Sequence, residues 1–195
     1  PSVSTPLAPQ GNLSQLMQRH KKQIDCVVMG ASTGGPPVLQ EILSGLLPAI
    51  PFPIVIVQHI TPGFLEGMVT WMQASVALPI HIARHREAMQ PGSIYFGPDQ
   101  QHIGVQNGTI LLDTLRPPEH GLRPTVANLF LSAAEHYGKR AVGILLTGMG
   151  SDGAQALHTL RLQGALTVAQ DQESSLIFGM PGEAIKLGAA QLVLT

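Results

Sequence analysis

The chain has 195 residues, of which 44% are hydrophobic and 12% are charged, and its formal net charge is -1. This length suits one domain that buries roughly 70% of the surface of its unfolded chain, and the composition excludes a disordered protein or a nucleic-acid-binding protein. No apolar run reaches the ~18 residues of a membrane span and no signal peptide opens the chain, so we expect a cytoplasmic protein without direct membrane insertion.

The first 23 residues have the composition of a linker, with Pro, Ser and Gln followed by His20-Lys21-Lys22. The chain opens on Pro1 rather than methionine, which predicts a piece of a longer protein. We expect residues 1–23 to be a linker, or the tail of a missing N-terminal region, and residues 24–195 to be the folded catalytic domain.

From residue 24 onward, short apolar runs alternate with segments whose apolar residues recur at helical spacing. This alternation is typical of parallel strands joined by helices that cover both faces of the sheet. Strands are predicted at residues 24–29, 53–58, 80–83, 141–146, 166–169 and 191–194. Helices are predicted at the periodic residues 38–47 and at 64–74, 124–136, 153–162 and 182–187.

The middle of the chain departs from this alternation. Short strands are predicted at 93–96, 102–106 and 109–113, and Asn107-Gly108 is a strong signal for a two-residue hairpin turn. We expect an antiparallel insertion or a sheet edge here. The predicted fold class is therefore α/β, a doubly wound and mostly parallel sheet in a Rossmann-like three-layer αβα arrangement, with a small antiparallel hairpin insertion.

Ser32 stands directly after the first predicted strand, in the run GASTG at residues 30–34. This is the G-x-S-x-G pattern of a nucleophile elbow, which presents a serine hydroxyl at the edge of a parallel sheet. A phosphate-binding loop is the rival interpretation, and two observations disfavour it. A P-loop needs a lysine after its last glycine, whereas Gly35 is followed by Pro36, and a dinucleotide fingerprint needs glycine where Ser32 stands.

Two more polar residues, His59 and Asp152, also follow predicted strands. The carboxyl ends of parallel strands meet at one edge of the sheet, where ligands bind. A serine, a histidine and a carboxylate at one edge favour acyl transfer, because the imidazole takes the serine proton and the carboxylate orients the ring. The backbone N–H groups of Thr33 and Met149 are expected to stabilise the oxyanion.

Each of these residues also has a structural interpretation. Ser32 is suited to cap a helix or bind a phosphate, His59 to hydrogen-bond a turn, and Asp152 to cap the helix that follows it. Asp171 follows another predicted strand and is a rival for the carboxylate role.

Cys26 is the only cysteine, and it lies in the first predicted strand. We therefore expect a small buried side chain rather than a catalytic or metal-binding thiol. The sequence contains no H-E-x-x-H motif and no cysteine–histidine cluster, so we expect neither a metal nor a cofactor.

Five segments carry a family resemblance: GASTGG at residues 30–35, QH at 58–59 with PGF at 62–64, LTGMGSDGA at 146–154, AQD at 169–171 and FGMP at 178–181. In this order they resemble the chemotaxis protein-glutamate methylesterases of the CheB type. The resemblance implies a domain that hydrolyses glutamyl methyl esters on chemoreceptor signalling proteins and deamidates particular glutamines. It also implies a catalytic triad of Ser32, His59 and Asp152, which favours Asp152 over Asp171. The chain order serine, histidine, aspartate differs from that of the α/β-hydrolases.

The resemblance further implies methylated chemoreceptors and an N-terminal receiver domain as partners. Arg123, with glycine backbone at Gly34 and Gly148, is a candidate contact for an acidic receptor helix. Two residues depart from the family pattern, since Leu122 stands where histidine is usual and Ala127 where aspartate is usual. These departures concern substrate contacts rather than the triad.

Two other functions stay open at this point. One is a small-molecule carboxylesterase on the same scaffold, and the other is a non-catalytic signalling module that binds receptors. Hydrolysis of short aryl esters in preference to methylated receptor favours the first, and unchanged biological output in Ser32→Ala favours the second.

Overall fold

The computed structural model describes residues 24–195, so the predicted linker at residues 1–23 lies outside the described residues. Within the described part, nine strands and five α-helices follow one another along the chain. The strands are β1 (Cys26–Ala31), β2 (Ile54–Gln58), β3 (Ile80–Ile82), β4 (Ile94–Phe96), β5 (His102–Gln106), β6 (Thr109–Asp113), β7 (Ala141–Leu145), β8 (Leu166–Gln170) and β9 (Leu192–Leu194). The helices are α1 (Gly35–Ser44), α2 (Leu65–Gln73), α3 (Val126–His136), α4 (Ala154–Leu162) and α5 (Met180–Lys186).

Seven strands form one sheet in the order β3-β4-β2-β1-β7-β8-β9, and every neighbouring pair is parallel. The remaining two strands, β5 and β6, form the separate antiparallel hairpin across Asn107-Gly108. The predicted fold class is confirmed. One detail differs from the sequence prediction, because β4 pairs with β2 and β3 in the parallel sheet instead of joining the hairpin.

Helices cover both faces of the sheet and bury a separate core on each. Apolar side chains of α1 and α2 pack on one face, and those of α3, α4 and α5 on the other. All six residues of β1 are buried, because this central strand is covered on both sides. Alternate residues serve the two cores, with Val28 on the side of α3 and Val27 on the side of α1.

The first strand lies two residues further along the chain than predicted, at Cys26–Ala31 rather than 24–29. Gly30 and Ala31 continue the strand because both pair with β2, and Gly30 pairs with β7 as well. The strand therefore ends immediately before Ser32.

The hairpin packs on α3 through polar side chains of that helix. Asn128 Nδ2 donates to Ile103 O at 2.7 Å, and Val105 N donates to Ser132 Oγ at 3.0 Å. These contacts fix α3 between the hairpin and the sheet, with its N-terminus at the carboxyl edge of the strands.

The order of strands reverses next to β1. The chain runs outward from β1 to β2 on one side and later returns to β7 on the other. Helices leave the sheet in opposite directions at such a point, and a crevice opens outside the strand ends. The topology therefore predicts that a ligand site lies beyond the carboxyl ends of β1, β2 and β7.

Candidate active site

Ser32, His59 and Asp152 all lie at this reversal point. Ser32 follows β1 and His59 follows β2, and Asp152 lies on the loop between β7 and α4. The backbone joins the first two segments, since His59 N donates to Ala31 O at 2.9 Å. Ser32 N donates to Thr147 O at 3.0 Å, which joins the serine to the loop that carries Asp152.

The imidazole of His59 contacts the carboxylate of Asp152, with 2.9 Å between Nε2 and Oδ2. The two side chains are only 10% and 11% exposed. The ring nitrogen is close to the oxygen but is not aligned for a hydrogen bond with it. Because Nε2 makes this contact, Nδ1 is the ring nitrogen that remains for a second partner.

The carboxylate of Asp152 is held by the N-terminus of α3. Val126 N donates to Oδ2 at 2.7 Å and Ala127 N donates to Oδ1 at 3.0 Å. These two bonds fix the position of the carboxylate relative to the first turn of α3. The interpretation in which Asp152 caps the following helix is wrong, since Gly153 is the N-cap of α4 and makes no side-chain cap bond.

Asp171 is engaged elsewhere. Its Oδ1 accepts hydrogen bonds from Ser174 Oγ at 2.6 Å and from Ser174 N at 2.9 Å. These two bonds lower the pKa of the Asp171 carboxyl below its ordinary value, and the bond from the Ser174 hydroxyl has the larger effect. Among the described residues Asp171 forms no ion pair with a histidine, so the structure brings His59 to Asp152.

Three groups near Ser32 make no hydrogen bond to any residue in the range 24–195. They are the Ser32 hydroxyl and the backbone N–H groups of Thr33 and Met149. The serine and His59 are thus not hydrogen-bonded to each other through their side chains. Catalytic hydrogen bonds are often long without substrate, so this arrangement is compatible with a nucleophile and its base.

Gly148 brings the loop after β7 close to the serine. A Cβ at this position would lie 2.7 Å from Ser32 Cβ and would overlap Met180 Sδ. Only glycine permits this approach without a shift of the backbone. The close packing places the loop segment that carries the exposed Met149 beside the serine.

Thr147 holds the same loop against the elbow, a role that the sequence pattern does not reveal. Its buried hydroxyl lies 3.0 Å from Thr33 O and 3.2 Å from Ile177 O, and it accepts a hydrogen bond from Ile177 N at 3.0 Å. Thr147 N in turn donates to Gln170 Oε1 at 2.8 Å. The only available signal is a polar residue directly after an apolar strand.

Two grooves flank the His59–Asp152 pair. The larger, of about 440 Å³, is lined by both residues that depart from the family pattern, Leu122 and Ala127, together with Met149 and Asp152. The smaller, of about 170 Å³, lies on the His59 side and is also lined by Leu122. The departures therefore change the chemistry of the walls around the site.

The other candidate contacts have structural partners in the chain itself. Arg123 lines the smaller groove, but its terminal nitrogen Nη1 lies 3.2 Å from Arg116 O and 3.4 Å from Thr114 O. Gly34 has a φ of 82°, which favours glycine, and is the N-cap of α1. A role for either in substrate binding stays a prediction.

Cys26 lies at the opposite end of β1 and is fully buried. Burial raises the pKa of its thiol to about 12, with a smaller contribution from the charge of Asp25. A thiol in this state is protonated at neutral pH and is not a nucleophile.

Residues 24–195 contain no group of three or more His, Cys, Asp or Glu side chains that could hold a metal ion. In the same range, none of the helices combines the length and the apolar character needed to cross a membrane.

Comparison of the structure and comparison of the sequence indicate the same family for this chain. It is a doubly wound α/β protein, and its structure matches that of the Thermotoga maritima CheB methylesterase catalytic domain with a TM-score of 0.83 and 36% identity, over 87% of this chain and 92% of that one. A family model described as CheB methylesterase matches residues 27–195. The chain belongs to the CheB methylesterase family.

Two curated relatives are named protein-glutamate methylesterase/protein-glutamine glutaminase. The chain is 54% identical over 168 residues to the protein-glutamate methylesterase/protein-glutamine glutaminase of Nitrosospira multiformis, covering 86% of this chain and 47% of that protein. It is 46% identical over 186 residues to protein-glutamate methylesterase/protein-glutamine glutaminase 2 of Methanospirillum hungatei, covering 95% and 53%. The chain spans about half the length of these relatives.

Proposed function

We propose that this domain is a serine hydrolase that demethylates glutamyl methyl esters on chemoreceptor signalling proteins. The observation that carries the proposal is the contact between His59 and an Asp152 carboxylate fixed on α3, at the strand edge that also holds Ser32. The relatives described above are named for the same activity, which supports the proposal.

In the first step, Ser32 Oγ attacks the carbonyl carbon of the side-chain ester while His59 accepts the hydroxyl proton. The negative charge that forms on the carbonyl oxygen is stabilised by the N–H groups of Thr33 and Met149, which have no acceptor among residues 24–195. Asp152 stabilises the imidazolium. The intermediate then expels methanol, which takes its proton from His59, and leaves a glutamyl ester on Ser32.

In the second step, water attacks the glutamyl ester and gives a proton to His59. The intermediate collapses to a free glutamate carboxyl group, and the serine oxygen recovers its proton from His59. A glutamine side chain follows the same course with ammonia as the leaving group, so deamidation is part of the proposal.

Two observations support the proposed partners: the resemblance to the CheB family, and the greater length of the relatives, of which this chain covers about half. We assign methylated chemoreceptors as substrates and a receiver domain in the full-length protein as the control of access to the site. Arg123, Gly34 and Gly148 remain candidate substrate contacts, and the cytoplasm is the expected location. The groove lined by Leu122 and Ala127 is where differences in receptor preference should arise.

The decisive experiment measures methanol release from methylated receptor membranes by the wild-type domain and by Ser32→Ala. We expect release by the wild type alone. Equal release by both proteins would overturn the enzyme assignment and favour the non-catalytic module. Faster turnover of short aryl esters than of receptor would favour the small-molecule esterase.

A further inference from the structure

Gln58, the last residue of β2, connects the segments that carry Ser32 and His59. It is 5% exposed, and its single Nε2 atom donates to Ser32 O at 2.9 Å and to His59 O at 2.8 Å. No other side chain in residues 24–195 donates to either of these two carbonyls.

The packing around Gln58 fixes the orientation of its amide. A Cβ at Gly35 would overlap Gln58 Oε1, so the amide lies directly against the first turn of α1. Rotating the amide by half a turn would place Oε1 against two carbonyl oxygens, an arrangement in which neither group has a donor. In the observed orientation both donors of the amide are used, and only Oε1 has no hydrogen-bond partner.

We propose that Gln58 is a positioning residue that fixes the separation between Ser32 and His59. The proposal rests on the function assigned above to those two residues. Their side chains are not hydrogen-bonded to each other, so the geometry for proton transfer depends on the backbone that carries them. One rigid amide bonded to both carbonyls holds that backbone before substrate arrives.

A matched control lies at the other end of the sheet. Gln73, at the end of α2, also donates from one Nε2 to two backbone carbonyls, Val76 O at 2.9 Å and Leu78 O at 3.1 Å. Its Oε1 also accepts a hydrogen bond from Ile80 N at 2.8 Å, so the amide holds the connection between α2 and β3, away from Ser32. Replacing either glutamine by methionine keeps the side-chain length and removes both donated bonds, and in Gln73→Met it also leaves Ile80 N without its acceptor.

The test compares Gln58→Met with Gln73→Met in methanol release from methylated receptor. We expect kcat of Gln58→Met to fall about 100-fold with little change in KM, because misplacement of a nucleophile affects the transition state and not ground-state binding. Gln73→Met should keep wild-type kcat even where its stability falls. A Gln58→Met enzyme with kcat within threefold of wild type would overturn the proposal.

Native-state hydrogen exchange provides a readout that does not depend on activity. In Gln58→Met the amide protons of Ser32 and His59 should exchange about tenfold faster than in Gln73→Met, because local opening becomes easier at that edge alone. Equal exchange rates in the two variants would refute the proposal that Gln58 holds the Ser32 and His59 segments together. If wild type and Ser32→Ala release methanol equally, the proposed function fails, and the exchange result still decides whether Gln58 joins the two segments.

Gln58→Glu is a second variant that also lacks both donors.

Discussion

The two halves of the site differ in how their polar groups are satisfied. On one side, both oxygens of the Asp152 carboxylate accept backbone hydrogen bonds from α3, and the carboxylate also contacts His59. On the other side, the Ser32 hydroxyl and the N–H groups of Thr33 and Met149 have no acceptor within residues 24–195. We call these the satisfied half and the open half.

Under the proposed function, this difference separates groups that maintain geometry from groups assigned to bind substrate. A buried polar group without a partner is costly, so the two backbone hydrogen bonds to the Asp152 carboxylate stabilise the folded state. Groups that face solvent have no such cost and remain free to bind a developing charge. Substitutions in the open half should therefore affect activity alone, and substitutions in the satisfied half should affect both activity and stability.

The largest expected effect is in the open half. Ser32→Ala should reduce kcat by roughly 10⁴–10⁶-fold, because it removes the proposed nucleophile. Its unfolding free energy should stay within about 0.5 kcal/mol of wild type, because the hydroxyl makes no hydrogen bond in the described chain. Methanol release and urea unfolding on the same preparations check both statements. A large loss of stability in Ser32→Ala would contradict the distinction between the open half and the satisfied half.

In the satisfied half, Asp152→Asn should lower kcat by about 10⁴-fold and stability by about 1 kcal/mol. The amide nitrogen cannot accept from Val126 N or Ala127 N, so one of the two bonds to α3 is lost. The matched control is Asp171→Asn, which removes a carboxylate that within residues 24–195 is bonded only to Ser174, and which should change kcat by no more than a few-fold. A larger loss of activity at Asp171 would reverse the assignment of the carboxylate.

Thr147→Val tests the boundary between the halves. The variant removes the hydroxyl that lies between Thr33 O and Ile177 and leaves Ile177 N without its acceptor. We expect a stability loss of about 1–3 kcal/mol from the unpaired buried groups and a fall in kcat of about tenfold from displacement of Thr33. Urea denaturation and steady-state kinetics measure the two effects. Unchanged kcat would show that the Thr33 N–H does not need this support.

Leu122→Ala tests the groove wall rather than the reacting groups. It should raise KM for methylated receptor a few-fold and leave kcat unchanged, since Leu122 lines the groove and is not one of the proposed reacting groups. Leu162→Ala, an exposed leucine at the far end of α4, is the control and should change neither constant. An equal effect of both substitutions would argue against recognition in this groove.

The smallest effect on activity is expected at Cys26. With a pKa of about 12, its thiol should react with a disulfide reagent at pH 8 far more slowly in the folded than in the unfolded chain. The folded state binds this proton more tightly than the unfolded state, whose pKa is near 9.0. The contribution to stability is therefore complete below pH 9 and decreases as pH rises towards 12. Rapid labelling of Cys26 in the native protein would contradict the burial of its thiol.

Sequence reasoning predicted the order of elements because apolar strands and periodic helices leave local patterns. It located Ser32, His59 and Asp152 as a group because strand ends converge in any parallel sheet. It did not predict that β4 joins the main sheet, since strand pairing depends on residues distant in sequence. The backbone donors of Asp152 were missed for the same reason, because Val126 lies 26 residues before it. Gln58 belongs to one of the family segments, but its bonds to Ser32 O and His59 O leave no pattern, since these two acceptors become neighbours only in the fold.

The central position of β1 has a consequence for how the protein folds. Ser32, His59 and Asp152 follow β1, β2 and β7 respectively, three strands that are neighbours in the sheet but separated in sequence. Parallel pairing between distant segments forms slowly, since each pair closes a long loop of chain. Catalytic competence should therefore appear only with the completed sheet, and activity regained during refolding should follow the slowest structural phase rather than helix formation.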